Sequence, residues 1–200
     1  MARPREFDED KVLTAAVDAF WAKGYEATST RELTQSTGLT HSSIYAAYGD
    51  KRGIFLRSLD HYLDHTLRPR IHFLEASMPP RAAIASFFNE IVERSIADKQ
   101  HRGCLLVNTA LESTPEDPEI QQRVAEETVM IEAFFRRCLA SAQEAGEIPP
   151  TPSPGEHARH LLAVLLGLRV LARVRPDEVV LRDVVRPPLT AIGIDWKPNP

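Results

Sequence analysis

Thr40, His41, Ser42, Ser43 and Tyr45 crowd three aliphatic hydroxyls, an imidazole and a phenol into six residues. Side chains this short and polar suit hydrogen bonds to phosphate oxygens and base edges. Thr40 and Ser43 fit either partner, and His41 fits a base edge. Thr30 and Arg31, earlier in the chain, are phosphate ligands by type. No arginine or asparagine lies among residues 40–48, so the bidentate readings of guanine and adenine are not available there.

Other reactive side chains are sparser. His61 and His65 stand at i, i+4, and His157 and His160 at i, i+3, spacings that put each pair on one helix face. Neither pair sits in the His-Glu-x-x-His pattern of a zinc hydrolase, and solvated histidines account for both. With no glycine-rich phosphate loop and no nucleophile elbow, no catalytic residue, metal or cofactor is assigned, and an enzyme is not expected. Cys104 follows His101, Arg102 and Gly103 at a helix start, where basic neighbours favour a thiolate. The competing reading is a small buried residue opening a helix.

The polar cluster needs a scaffold, and residues 28–51 supply one. Ser29 and Glu32 form a capping box, Ser-x-x-Glu, that starts a short helix. Gly38 tolerates positive φ and turns the chain; Thr40 can cap a second helix through Tyr45. Leu33, Leu39 and Ile44 are placed to fasten the two together. The pair reads as a helix-turn-helix, whose second helix enters the major groove of DNA.

This region resembles the DNA-binding domain of the TetR family of bacterial transcriptional regulators. The family phrase F-x-x-x-G-Y-x-x-T-S is matched by Phe20, Gly24, Tyr25, Thr28 and Ser29. The phrase G-x-[ST]-x-[GS]-x-[IL]-Y-x-x-[FY]-x-x-K is matched by Gly38, Thr40, Ser42, Ile44, Tyr45, Tyr48 and Lys51. The resemblance covers about the first sixty residues without a gap. It implies phosphate contacts from Tyr45 and Lys51 and a homodimer reading a palindromic operator in double-stranded DNA. It also implies a small-molecule effector, of unknown identity, that releases a repressor. The phrase GCLLVNTALE resembles a branch in which some members sense electrophiles or oxidants through a cysteine near Cys104. A helical ligand-binding or enzyme domain with a silent DNA-binding head is the alternative from another class.

Net charge is -4, and residues 1–60 hold eight Lys/Arg against nine Asp/Glu. DNA binding requires a local positive surface rather than a basic total, so the balance does not exclude it. The longest uncharged apolar run, residues 161–168, is far short of the roughly 20 residues that span a bilayer. The N-terminus lacks a hydrophobic signal region, which points to the cytoplasm and away from membranes. Cys104 and Cys138 are far apart, and a disulfide is not expected in a reducing compartment.

Along the chain a basic arm at Arg3-Pro4-Arg5 comes first, and apolar periodicity and stop signals then predict a helix over about 8–23, the two helices of the motif, and a fourth helix over about 51–67. The fourth is bent or ended by Arg68-Pro69. Further helices are predicted over about 81–98, 103–112, 118–145, 155–174 and 177–192. The class is all-α with about nine helices. The division places a helix-turn-helix domain at 1–50, a connecting helix at 51–67, and an effector-binding and dimerisation domain at 68–200.

Within the second domain the expected pocket liners are Phe87, Phe88, Ile91, Cys104, Leu105, Asn108, Met130, Ile131, Phe134 and Arg169. Core packing is the competing reading for the apolar ones. Asn108 and Arg169 interrupt apolar stretches and need partners if buried. The stretch from His160 to Val174 is apolar nearly all round and must be covered on more than one side, by a second subunit or by a central place within a monomer. The resemblance implies a four-helix bundle between two subunits, with Leu161, Leu165, Leu168 and Leu171 as interface candidates.

Overall fold

The first four helices each begin on a side chain that takes one of the amides a helix start leaves free. Asp8 accepts from the Lys11 amide (3.3 Å), Ser29 from Glu32 (3.2 Å), Thr40 from Ser43 (3.2 Å) and Asp50 from Gly53 (2.7 Å). These caps open α1 (Glu9–Lys23), α2 (Thr30–Thr37), α3 (His41–Tyr48) and α4 (Lys51–His65). The computed structural model describes residues 7–196. The expected basic arm at Arg3-Pro4-Arg5 lies outside them.

Beyond α4 come α5 (Leu67–Ser77), α6 (Pro80–Ala97), α7 (Leu105–Glu112), α8 (Pro118–Glu144), α9 (Pro154–Val174) and α10 (Glu178–Ala191). The described residues are thus all-α, with ten helices and no strand. The addition to the expected set is α5. Thr66 departs from helical geometry (φ -126°, ψ -69°), and its hydroxyl donates to the Tyr62 carbonyl at 2.6 Å, ending α4. Pro69 then falls in the first turn of α5, where its missing N–H has no intrahelical partner to lose. Arg68-Pro69 therefore opens a helix instead of closing one.

Phe20 of α1 packs edge-on against Phe55 of α4 (5.0 Å, 78°), and Tyr25 covers the same ring at 4.6 Å. With Leu33, Ile44, Ile54 and Leu59 fully buried beside them, α1–α4 share one core. In the remaining helices Phe87 and Phe88 of α6 meet Phe134 and Phe135 of α8, with Phe88 and Phe135 stacked at 5.6 Å. Burying each such ring contributes about 1.5–3 kcal/mol. α9 packs on α6, α7, α8 and α10, which explains its apolar sequence.

Candidate nucleic-acid interface and cavity

Gly38 adopts φ +70°, ψ 4°, so α2 stops in one residue and α3 leaves at a sharp angle. Leu33 and Ile44 are buried in the angle, with Leu39 half-buried. Thr40, His41, Ser42 and Tyr45 remain exposed and Ser43 half-buried, all at the start of α3. Thr40 Oγ1 lies 3.0 Å from Ser42 Oγ and 2.8 Å from Ser43 Oγ while also capping the helix. The His41 and Tyr45 rings stack at 4.4 Å and 26°, and Tyr45 is 44% exposed. A large ring left this open beside hydroxyls and helix amides is suited to contact a phosphate backbone.

Thr30 is half-buried and Arg31 exposed on α2. Lys51 Nζ donates to the Glu26 carbonyl (3.1 Å) and lies 4.5 Å from the Tyr25 ring centroid. In this arrangement it ties α4 to the turn before α2. Glu32 closes the capping box and pairs with Lys23; the Lys23 ammonium, and then the Ser29 groups, hold its carboxyl down to about 2.

A cavity of about 250 Å³ opens between α1, α4, α5, α6, α7, α8 and α9. Of the expected liners, Phe87, Ile91, Cys104, Ile131 and Arg169 line it. The other five do not. Phe88, Leu105 and Phe134 are filled into the core, and Met130 packs against its edge. Asn108 is buried and its amide donates to the Arg102 carbonyl at 2.9 Å, which shapes the 101–104 loop. Sequence reading missed Trp21, Tyr62, Glu90, Arg94, Ser95 and Asp98, which also face the cavity. Glu90, Arg94, Ser95 and Asp98 sit at polar positions that read as solvent-facing, and Tyr62 reads as part of the apolar face of α4. Cys104 Sγ is 3.8 Å from Tyr62 Oη. Burial pushes the Tyr62 hydroxyl well above its ordinary value, so it stays a neutral donor.

Three joints connect this region to the helix-turn-helix. Arg102 pairs with Asp18 (3.1 Å) and lies over the Trp21 ring at 4.3 Å, both on α1. Glu112, the last residue of α7, accepts the Tyr25 amide at 2.7 Å. Arg52 of α4 grips Asp117, ahead of α8, through two bonds of 2.9 and 2.7 Å, and pairs with Glu119 at 2.6 Å. α7 thus runs from the cavity at Cys104 to the head at Glu112.

The expected interface residues on α9 require correction. Leu161, Leu165 and Leu168 are at most 4% exposed within a single chain, so α6–α8 and α10 already cover them. Leu171 is half-buried. The open side of α9 instead carries Ala163, Gly167, Val170 and Val174, with Val170 37% and Val174 65% exposed; Val179 of α10 is 66% exposed. The histidine pairs are placed differently from each other. His61 Nε2 lies 3.0 Å from Thr14 Oγ1, His65 Nδ1 donates to the His61 carbonyl at 2.7 Å, and Asp10 brings a carboxylate within 4.8 Å of both rings. Burial, then the neighbouring His65, lowers the His61 pKa. Burial, then His160, does the same to His157.

Comparison with known proteins adds a lineage. The model of the bacterial regulatory proteins, tetR family, matches residues 12–57, and that of the tetracyclin repressor-like C-terminal domain matches residues 80–186. The uncharacterised helix-turn-helix regulator YezE of Bacillus subtilis (strain 168) is 32% identical over 186 residues, 92% of this chain and 96% of that protein. The transcriptional repressor ComR of Escherichia coli (strain K12) is 29% identical over 86% of this chain and 82% of its own. Among solved structures, a cysteine mutant of the regulator CifR bound to 26-bp operator DNA superposes with a TM-score of 0.83. Identity there is 35%, with 94% of this chain and 99% of that chain covered.

Proposed function

The chain belongs to the TetR family of bacterial transcriptional regulators, and on that premise we propose a homodimeric repressor released from a palindromic operator by a small-molecule effector. The observation that carries this reading is α7, which has one end in the cavity and the other holding the turn before α2. A ligand that shifts Cys104, Leu106 or Val107 moves Glu112, and with it the placement of α3. Two heads on a two-fold axis must meet adjacent major grooves roughly 34–36 Å apart, so a small rotation is enough to favour the unbound state. The DNA-contacting set is Thr30, Arg31, Thr40, His41, Ser42, Ser43, Tyr45 and Lys51, with specificity leaning on His41 and on DNA shape. Dimerisation uses the open side of α9 together with α10.

The division of labour follows the same lines. The head comprises α1–α3 with α4 as connection, and the remaining helices hold effector and partner. No helix of the described residues is long and apolar enough to cross a membrane. The working compartment in this reading is the cytoplasm, and the role is regulatory rather than enzymatic.

Selecting bound duplexes from a random pool at near-physiological salt tests the reading. A recovered palindrome, bound with an affinity that falls steeply with salt, is the expected result. Recovery of nothing above background from folded dimer would mean a silent head. His41→Ala with an unchanged sequence preference would remove the assignment of that residue.

A second reading rests on Cys104, whose thiol faces the cavity beside Tyr62 and Arg169. Release would then follow alkylation or oxidation of the thiol. Cys104→Ser separates the two readings: it abolishes release by electrophiles and leaves release by a reversible ligand intact.

A further inference from the structure

Two hydrogen-bond donors inside the cavity, Arg169 and Trp21, have no acid to take them among the described residues. Arg169 donates from Nη1 to Ser95 Oγ at 3.2 Å, and its other close neighbours are the Tyr62 hydroxyl and the Cys104 thiol. Among the described residues no carboxylate lies within ion-pair distance of its guanidinium. A guanidinium does not lose its proton in a protein, so one placed inside a cavity needs an anion. The Trp21 indole N–H is buried and has no hydrogen-bond partner among the described residues. Its ring stands edge-on to Tyr62 at 5.1 Å.

The charge of the lining points the same way. Four arginines (Arg70, Arg94, Arg102 and Arg169) face the cavity against two carboxylates, Glu90 and Asp98. Glu90 is shared by Arg70 and Arg94, and Arg102 is engaged by Asp98 and, outside the cavity, by Asp18, which leaves Arg169 as the arginine with no acid among the described residues. This cationic surplus sits in a chain whose net charge is -4. The remaining wall is hydrocarbon, with Phe87, Ile91 and Leu165 prominent.

We infer that the effector is a small organic carboxylate, held by Arg169 and Tyr62 at its anionic end and by Phe87, Ile91 and Leu165 along its apolar body. This deepens the effector reading above and rests on it. At about 250 Å³ the cavity lies just below the roughly 300–1,000 Å³ of small-molecule sites, which suits a small aromatic or medium-chain acid. Tyr62 belongs to α4, so the anion engages the connecting helix directly as well as α7.

Calorimetric titration of the full-length protein with benzoate, phenylacetate and octanoate, each beside its primary amide, tests the inference. At least one acid should bind ten-fold or more tightly than its amide. Arg169→Met should bring that ratio close to one, and Arg169→Lys should keep most of it. If Arg169→Met does not fold, Ser95→Ala, which removes the hydrogen bond that positions the guanidinium, should cut the ratio several-fold. Acids and amides binding equally would leave a ligand cavity but overturn its anionic character, as would an acid preference that survives Arg169→Met. Equal binding together with release by alkylating agents would instead favour the reading through Cys104. No binding by any probe would overturn both the inference and the effector reading of the cavity.

Discussion

The carboxylate of Glu112 at the end of α7 accepts the Tyr25 backbone amide at 2.7 Å and reaches the Glu26 amide at 3.4 Å. Tyr25 and Glu26 form the turn that leads into α2, so the last residue of the cavity's helix also serves as a support of the DNA-reading head. Glu112→Ala is expected to leave DNA binding in place and to abolish the effect of a cavity ligand on it. The stability cost should be about 1.5–3 kcal/mol, the range for a hydrogen bond to a charged group. DNA titrations with and without ligand, beside urea unfolding, check both parts.

Gly24 provides an independent test of the same joint. Its φ is +90°, and a methyl group built on its Cα would overlap the Glu112 carboxylate. Gly24→Ala is expected to lower stability by at least ~1 kcal/mol, from backbone strain alone. In a chain of this length that shifts the melting temperature by roughly 2–4 °C. A melting curve superimposable on that of the parent would show that the turn adapts freely.

The two faces of α9 should respond in opposite ways. Val174→Asp places a charge on the open side and is expected to give a folded monomer of 22.4 kDa in sedimentation. Leu165→Ala hollows the subunit core and is expected to cost about 2–5 kcal/mol without changing the association of the folded fraction. The reverse pattern would return Leu165 to the interface.

The two cysteines should differ under a thiol reagent. Burial pushes the Cys138 thiol up to about 12, so at pH 8 it remains protonated within the core. Cys104 is half-buried and faces the cavity. Native protein is therefore expected to take up label at Cys104 only, with Cys138 reacting after denaturation. Mass spectrometry of the labelled peptides decides this.

Glu32 sets an acid limit on the head. Its carboxyl is held down to about 2 when folded, against roughly 4.3 for an unperturbed glutamate. The folded state therefore binds this proton less readily. The associated stability is fully present above the unfolded value and is lost as pH falls from there through about 2. Glu32→Gln should lower the melting temperature at pH 7 and have little effect near pH 2. An equal difference at both pH values would contradict the ionic origin.

Local signals were legible in the sequence because they act over three or four residues. Ser29, Thr40 and Asp50 cap the helices that their spacing predicts, and Gly38 makes the turn. Thr66 left no such mark, since its hydroxyl ends α4 by taking a carbonyl one turn back, which many mid-helix threonines also do. Arg169 could be singled out because it breaks an apolar pattern, and Cys104 because it follows basic residues at a helix start. Trp21, Glu90 and Asp98 could not, because their common cavity is assembled from separate helices. The long apolar stretch of α9 shows that it must be covered, but its composition does not say which face meets a partner.

The coupling of cavity to head is tested most directly by measuring the affinity of the full-length protein for its selected duplex, with and without saturating amounts of the tightest-binding probe. Coupling of this kind is worth about 1–3 kcal/mol, so the duplex should bind roughly 5- to 150-fold more weakly with the probe present, and DNA should weaken probe binding by the same factor. Identical affinities with the cavity full and empty would contradict the account.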